Sequence, residues 1–281
     1  MSRLSRPPIT PTTVLLLLIA AAVFAPFLST QDPSAQNLLR RFTEPAWLSG
    51  EWDNLFGTDH VGRDLFSNIL YGLRVSLLVG FLAVGISVLL GAPFGLLSGY
   101  FGGRFETIVM RLVDIQLALP TILIALGVLA ILGPGLWKVI LVIGIVGWAE
   151  YARLTRAAVL AEREKDYVSG ARALGSSSGR IVFRHILPNV VSVVLVQISV
   201  HMPQAIILEA TLSFLGLGVG TGTPSLGLMV SRGYEFLYSG VWWVSILPGL
   251  ALMLLILSVN LLGDWLRDAL DPSQQGSGVS R

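Results

Sequence analysis

The sequence predicts an all-α polytopic membrane protein with six transmembrane helices and both termini in the cytoplasm. Three observations lead there. Hydrophobic residues make up 53% of the 281 positions and charged residues only 13%, about half the charged share of a soluble domain. Long uncharged runs recur, the clearest being Val75 to Leu97 with 23 residues, enough to cross ~30 Å of hydrocarbon as a helix. The basic residues are unevenly spread between the runs. With the N-terminus inside, thirteen Lys and Arg fall on the inner side and six on the outer, and basic residues favour the cytoplasmic side.

The elements follow in order. Residues 1 to 10 carry Arg3 and Arg6 ahead of a first apolar run, Val14 to Leu28. That run is short for a span, and Pro11 to Thr13 can extend it; the alternative is a cleaved signal peptide. Residues 29 to 73 are polar and irregular. Within them, Thr58 or Asp59 is expected to cap a helix running through Leu65 and Leu70, with Arg63 and Asp64 on its polar side. The second span is Val75 to Leu97, with Gly80, Gly85, Gly91 and Gly95 offering close helix approach in lipid. The third runs from about Ile108 to Leu132, where Arg111 and Asp114 share a face and Pro120 introduces a kink. After the Gly133-Pro134-Gly135 turn, the fourth covers roughly Leu136 to Ala149, with Lys138 and Glu150 near its ends, and its helix continues through Arg153 and Arg156. The fifth is about Asn189 to Leu208. The sixth is Val241 to Gly263, followed by the short amphipathic NLLGDWLRDALDP. Residues 1–73 therefore form a tail, first span and outer loop, residues 74–272 a five-span core, and residues 273–281 a flexible Gly/Ser-rich tail.

The longest polar interruption of the second half is residues 150–189, with seven Arg or Lys. Asp166 can cap a helix over Tyr167 to Leu174, Gly175 suits the positive φ that ends one, and Ser176, Ser177 or Ser178 can cap a second helix running towards Pro188. A basic helix–Gly turn–helix between two spans predicts a docking element. The plainer reading is a basic loop that only sets orientation.

Composition excludes several classes. The chain has no Cys, hence no disulfide and no thiolate chemistry. Lys occurs only at 138 and 165, and neither ends a G-x-x-x-x-G-K pattern, so the chain has no P-loop for ATP. The net charge of +2 gives no argument for a nucleic-acid partner. One His and a few carboxylates on separate spans do not make a metal site by spacing.

Five motifs carry a family resemblance over about residues 10 to 272. Gly170-Ala171, Gly175 and Leu187-Pro188 resemble the "EAA" loop of permease subunits in bacterial ABC importers. Ser169 stands where that family has Glu, and the Ile is at 186, one place late. G-T-D-x-x-G-R-D (Thr58, Asp59, Gly62, Arg63, Asp64) is similar to the dipeptide, oligopeptide and nickel branch, as are RLVDIQLALPTILIAL, E-A-x-L-S-F-L-G-L-G-V and NLLGDWLRDALDP. Gly220-Thr221-Gly222 and Leu226 depart from the pattern. The resemblance implies the type I importer permease fold and a subunit that forms half of a pathway for di- or oligopeptides. It also implies partners: a second related permease, two ATPase subunits that bind ATP and Mg, and an extracytoplasmic binding protein. No cofactor and no catalytic residue is expected in this chain. Nickel or another small solute is the alternative cargo.

On that reading Asp166, Tyr167, Val168, Ser169, Gly170, Ala171, Arg172, Leu174 and Gly175 form the ATPase-coupling helix. Tyr167, Val168, Ala171 and Leu174 would offer an apolar patch, Gly170 and Ala171 would keep the helix slim, and Arg172 would reach a carboxylate or a lipid phosphate. Intramembrane polar side chains are the candidate pathway residues: Gln197, His201, Gln204 and Glu209, with Asp114 and Gln116 also within spans. Asp114 is expected to pair with Arg111 or to cap near the inner interface, and Glu209 to lie near the outer end of its span. A stand-alone secondary transporter or channel would show repeats or a charged midplane relay, and an intramembrane enzyme would need paired catalytic groups. Neither pattern is visible.

Overall fold

The computed structural model describes residues 8–220 and 222–270, and the regular structure of the described residues is helical apart from one isolated bridge between Thr58 and Asp64. Arg3, Arg6, Thr221 and the tail from residue 273 lie outside the described residues. The main helices are α1 (Ile9–Val23), α2 (Leu65–Phe101), α3 (Gly103–Leu117), α4 (Thr121–Leu132), α5 (Leu136–Arg163), α6 (Asp166–Ala173), α7 (Leu187–Phe214), α8 (Leu226–Tyr234) and α9 (Trp243–Leu270), joined by turns, short helical segments and, between α1 and α2, a long loop. Among the described residues, Leu65–Phe101, Ser178–Phe214 and Trp243–Ala269 are long and apolar enough to cross a membrane. The bent pair α3 and α4 makes a fourth if counted as one span, and α1 is a shorter apolar helix. α5 carries Lys138, Glu150 and several Arg, which keep it out of that group.

Helix α2 is the axis of the fold. It is one helix of 37 residues, about 55 Å at ~1.5 Å per residue, so it projects beyond the hydrocarbon. It replaces the two elements expected from sequence. Its N-cap is neither Thr58 nor Asp59 but Asp64, whose carboxylate accepts from Ser67 N at 2.8 Å. A carboxylate there satisfies an orphan amide and meets the positive end of the helix dipole. Thr58 and Asp59 fold instead into a loop knot. Asp59 accepts from Val61 N and Arg63 N, each at 2.9 Å, and from Arg63 Nε at 2.8 Å. Gly62 turns there with φ +76, and a Cβ would lie 1.8 Å from the Asn37 carbonyl oxygen.

The α2–α5 contact is the main seam of the core. Gly91, Gly95 and Gly99 form a strip spaced four apart on α2. Cβ atoms built on them would meet Trp148 O at 2.3 Å, Ala152 O at 2.4 Å and Val159 Cβ at 2.8 Å. The glycines let the two backbones touch, which in lipid supplies the dispersion contact that apolar burial cannot. Of the other glycines singled out in the sequence, Gly80 packs on Ile206 of α7 and Gly85 meets nothing within 4 Å. Gly144 and Gly147 of α5 answer α2 from the other side, against Ile86 and Ser87.

Proline shapes the rest. At Pro120 the chain breaks rather than kinks, with α3 and α4 meeting at 87°. Pro120 is extended (φ −58°, ψ 123°) and precedes Thr121 as the N-cap of α4. Having no N–H, it cannot carry the α3 ladder onward. At Pro188 the opposite happens. The helix expected to stop there runs on, so that residues 178–214 form one helix. The widened turn Ile181–Ile186 is π-helical, with Leu187 N donating to Val182 O five residues back, and such a turn absorbs the missing donor. The amphipathic segment after Gly263 likewise continues α9 rather than forming a separate helix.

Candidate functional site

Three polar regions are built on this frame. The first surrounds α6. Lys165 is its N-cap and Asp166 its first residue, so Asp166 supports the helix dipole rather than capping. Helix α6 is tied back to the bundle through Tyr167 and Glu162. The Tyr167 hydroxyl donates to Glu162 Oε1 and accepts from Asn189 Nδ2 at 3.0 Å. Lys165 Nζ sits 2.6 Å from Glu162 Oε2. Burial would raise the Glu162 carboxyl, but the bonds from Lys165 and Tyr167 and the Lys165 charge hold it below its ordinary value. Burial first, then the bond to Glu162 and its charge, push the Tyr167 phenol up.

Val168 corrects the expected apolar patch. It is fully buried in the core among Val159, Ile181 and Ile186, because the side of α6 that carries it faces the bundle. The outward side is Tyr167, Ser169, Gly170, Arg172 and Leu174, with Ala171 partly covered; Leu174 is 88% exposed. Gly175 takes φ +78, as expected for a residue that ends a helix, and nothing lies within 4 Å of a Cβ there. Ser177 caps the following turn by accepting from Arg180 N.

The second region joins α3 to the extension of α5. Arg156 Nε donates to Glu106 Oε1 at 2.6 Å and Arg153 Nη2 to Asp114 Oδ1 at 2.5 Å. Asp114 was expected to pair with Arg111 on its own helix; the structure pairs it across to α5. Higher up, Trp148 Nε1 donates to Gln116 Oε1 at 2.7 Å, and Gln116 Nε2 donates to Val146 O. Arg163 Nη1 completes the set on Gly99 O at 2.8 Å.

The third region is the intramembrane polar set, which the structure divides. His201 and Gln204 line one cavity of about 320 Å³ with Thr121, Gly147, Glu150 and Thr211. Gln197 lies apart, in a cleft shared with Glu162, Lys165, Asn189 and Arg267 at the α6 side. Glu209 is in neither. It is fully buried, and its carboxylate accepts from Ser213 Oγ at 2.7 Å, Ser225 Oγ at 3.0 Å and Ser76 Oγ at 3.3 Å. It knots α7, α2 and the N-cap of α8, where Gly227 presses on the Ala210 carbonyl. Glu209 is thus enclosed within this chain and bonded to three serines, apart from the cavity that His201 and Gln204 line. Glu150, placed by the sequence near the end of the fourth span, lines the cavity with His201; the signal for it is a lone carboxylate three residues after Gly147 on a helix face otherwise apolar.

The model of the binding-protein-dependent transport system inner membrane component matches residues 91–276 of the chain. The chain belongs to that family. It is a permease subunit of an ABC importer and a multi-pass component of the inner membrane. The permease is 44% identical over 259 residues to the di/tripeptide transport system permease protein DppC of Pseudomonas aeruginosa, covering 92% of this chain and 85% of that one. It is 42% identical to the dipeptide transport system permease protein DppC of Haemophilus influenzae, covering 92% and 88%. With the probable D,D-dipeptide transport system permease protein DdpC of Escherichia coli the identity is 38%, covering 95% and 88%. Its fold is similar to that of a chain in the inward-facing MetNI methionine ABC transporter, with a TM-score of 0.58 and 20% identity over 73% of this chain and 96% of that chain.

Proposed function

We propose that this permease forms one half of the transmembrane pathway for di- and oligopeptides, paired with a second related permease subunit. Two ATPase subunits bind and hydrolyse ATP with Mg, an extracytoplasmic binding protein delivers the peptide, and this chain holds no cofactor. The peptide assignment rests on the peptide-permease relatives that match over more than nine-tenths of the chain. In this reading α1, α2, the α3–α4 pair, α5, α7 and α9 are the six spans, with both termini and α6 in the cytoplasm.

The observation that carries the coupling reading is the mounting of α6. Residues 166–175 project an exposed edge, yet Val168 in the core and Tyr167 on Glu162 fix that edge to the ends of two long helices. A partner that pushes on α6 therefore moves α5 and α7 as rigid bodies, which is how a displacement crosses a packed structure.

Affinity purification of the tagged protein in mild detergent tests the assembly; two P-loop ATPases and a second permease are expected with it. Reconstitution with the cognate binding protein and labelled dipeptides then tests the cargo. Purification of the chain alone, with ATP-independent transport, would overturn the importer assembly. Uptake of nickel or another solute without peptide would overturn the cargo. Cys labelling across residues 150–189 tests orientation, and labelling from outside intact cells would reverse the topology.

A further inference from the structure

The cavity between α4, α5 and α7 contains a group that nothing above uses. Glu150 is partly buried there and makes no ion pair or hydrogen bond among the described residues. Facing it is His201, 7% exposed, with Nδ1 buried and without a hydrogen-bond partner. Gly147 lets His201 approach α5 closely, since a Cβ on it would lie 2.5 Å from His201 Cε1. Gly147 and Glu150 are three apart on α5, and His201 and Gln204 three apart on α7, so each pair shares a helix face.

We propose that Glu150 and His201, which line one cavity beside Gly147, form a subsite in this half of the pathway that takes the protonated amino group of a passing peptide. The inference rests on the peptide reading and deepens it. Electrostatics selects the ligand. The cavity is lined by one carboxylate and, among the described residues, by no Lys or Arg. An unpaired carboxylate inside a span is costly until a cation or donor meets it. An ammonium brings one positive charge and three N–H donors, for which the Glu150 carboxylate, the Gln204 amide oxygen and the His201 imidazole are acceptors. A metal cation fits less well, since no group of three His, Cys, Asp or Glu gathers anywhere among the described residues. The volume of about 320 Å³ is near the small end of the ~300–1,000 Å³ range of ligand pockets, suited to the amino end of a peptide rather than a whole one. One carboxylate gives weak and reversible capture, which a conduction path needs.

The test uses the complete importer with its binding protein in proteoliposomes. Import of a labelled dipeptide is measured at saturating binding protein for wild type, Glu150→Gln and Glu150→Asp, with ATPase activity and subunit stoichiometry as controls. Glu150→Gln is expected to slow import about tenfold near pH 6.5 with assembly intact, and Glu150→Asp to restore most of it. The binding protein is common to all three, so amine dependence that differs between them belongs to the permease. A peptide α-amino group titrates at about 8, so the wild-type advantage over Glu150→Gln should shrink towards one as the pH rises to about 9. The titratable side chains at the subsite are Glu150, Tyr151 and His201, and only the first differs between the variants.

Equal import by wild type and Glu150→Gln, or an advantage that does not change with pH, overturns the subsite while leaving peptide transport standing. Loss of assembly in Glu150→Gln with normal assembly in Glu150→Asp would mean that Glu150 pairs with a cation of the second permease, and also overturns it. A wild-type importer that moves no peptide removes the cargo reading first, and the subsite with it.

Discussion

Arg156 on α5 and Glu106 on α3 form an ion pair across two helices, with Nε 2.6 Å from Oε1 and both side chains less than one-third exposed. Arg153 and Asp114 repeat it one turn away along α5. These pairs sit on the stretch of α5 that leads directly to α6. They tie α3 to α5, and α3 ends at the 87° break before α4. On the coupling reading proposed above, a displacement at α6 has a route through these pairs to the break at Pro120.

The route is testable by charge exchange. Arg156→Glu and Glu106→Arg each place like charges in contact, and each should cut transport several-fold while ATPase activity persists. The double exchange restores the attraction and should recover most of the transport. A double variant no better than the singles would mean that the pair only packs the helices.

The α2–α5 seam makes a second prediction. Gly95 has no room for a methyl group, since its Cβ would lie 2.4 Å from Ala152 O and 2.7 Å from Thr155 Cβ. The obstacle is backbone, so the helices must part. Gly95→Ala should cost about 1–3 kcal/mol, as overpacking does, read as a lowered midpoint of thermal unfolding in detergent. Gly85→Ala, on the same helix with nothing within 4 Å, should leave the midpoint unchanged or raise it slightly.

Gly175 separates folding from coupling. Its φ of +78 strains any L-residue, but the space around it is open. Gly175→Asp should therefore insert and assemble at a cost of about 1 kcal/mol, while placing a charge and an altered turn angle beside the exposed Leu174. The expected outcome is ATP hydrolysis without uptake. Normal uptake by this variant would count decisively against the coupling role of residues 166–175.

Much of this was legible in the sequence, and what was not has physical causes. Gly175 and the Ser177 cap follow from local backbone chemistry, which a sequence displays directly. The side of α6 that Val168 faces depends on how α5 and α7 hold the helix, and eight residues are too few for periodicity to reveal it. Pro188 was misleading because the penalty of a proline inside a helix is relieved by a π turn upstream, which no residue type signals. Glu209 and Glu150 are both lone carboxylates on spans. What distinguishes them is distant: Ser76, Ser213 and Ser225 converge on Glu209, whereas Glu150 lines a cavity with His201 and Gln204.

His60 gives a prediction in pH. It lies in the loop knot outside the spans, its ring stacked on Phe236 at 6.3 Å, with Nδ1 buried, unbonded and 3.9 Å from Asp59 Oδ2. Burial pulls its titration down, Asp59 opposes this, and Arg232, Arg63 and Arg41 pull it down further. A histidine lowered in the folded state is fully accommodated above its unfolded value of about 6.5. As the pH falls below that, the unfolded chain takes up a proton that the folded chain resists, and stability is lost until the folded form also protonates. The unfolding midpoint of the wild type should therefore drop more between pH 7.5 and 5.5 than that of His60→Gln, which has no charge to gain. Parallel pH profiles for the two proteins would show that the knot tolerates the imidazolium, through Asp59, as readily as the neutral ring.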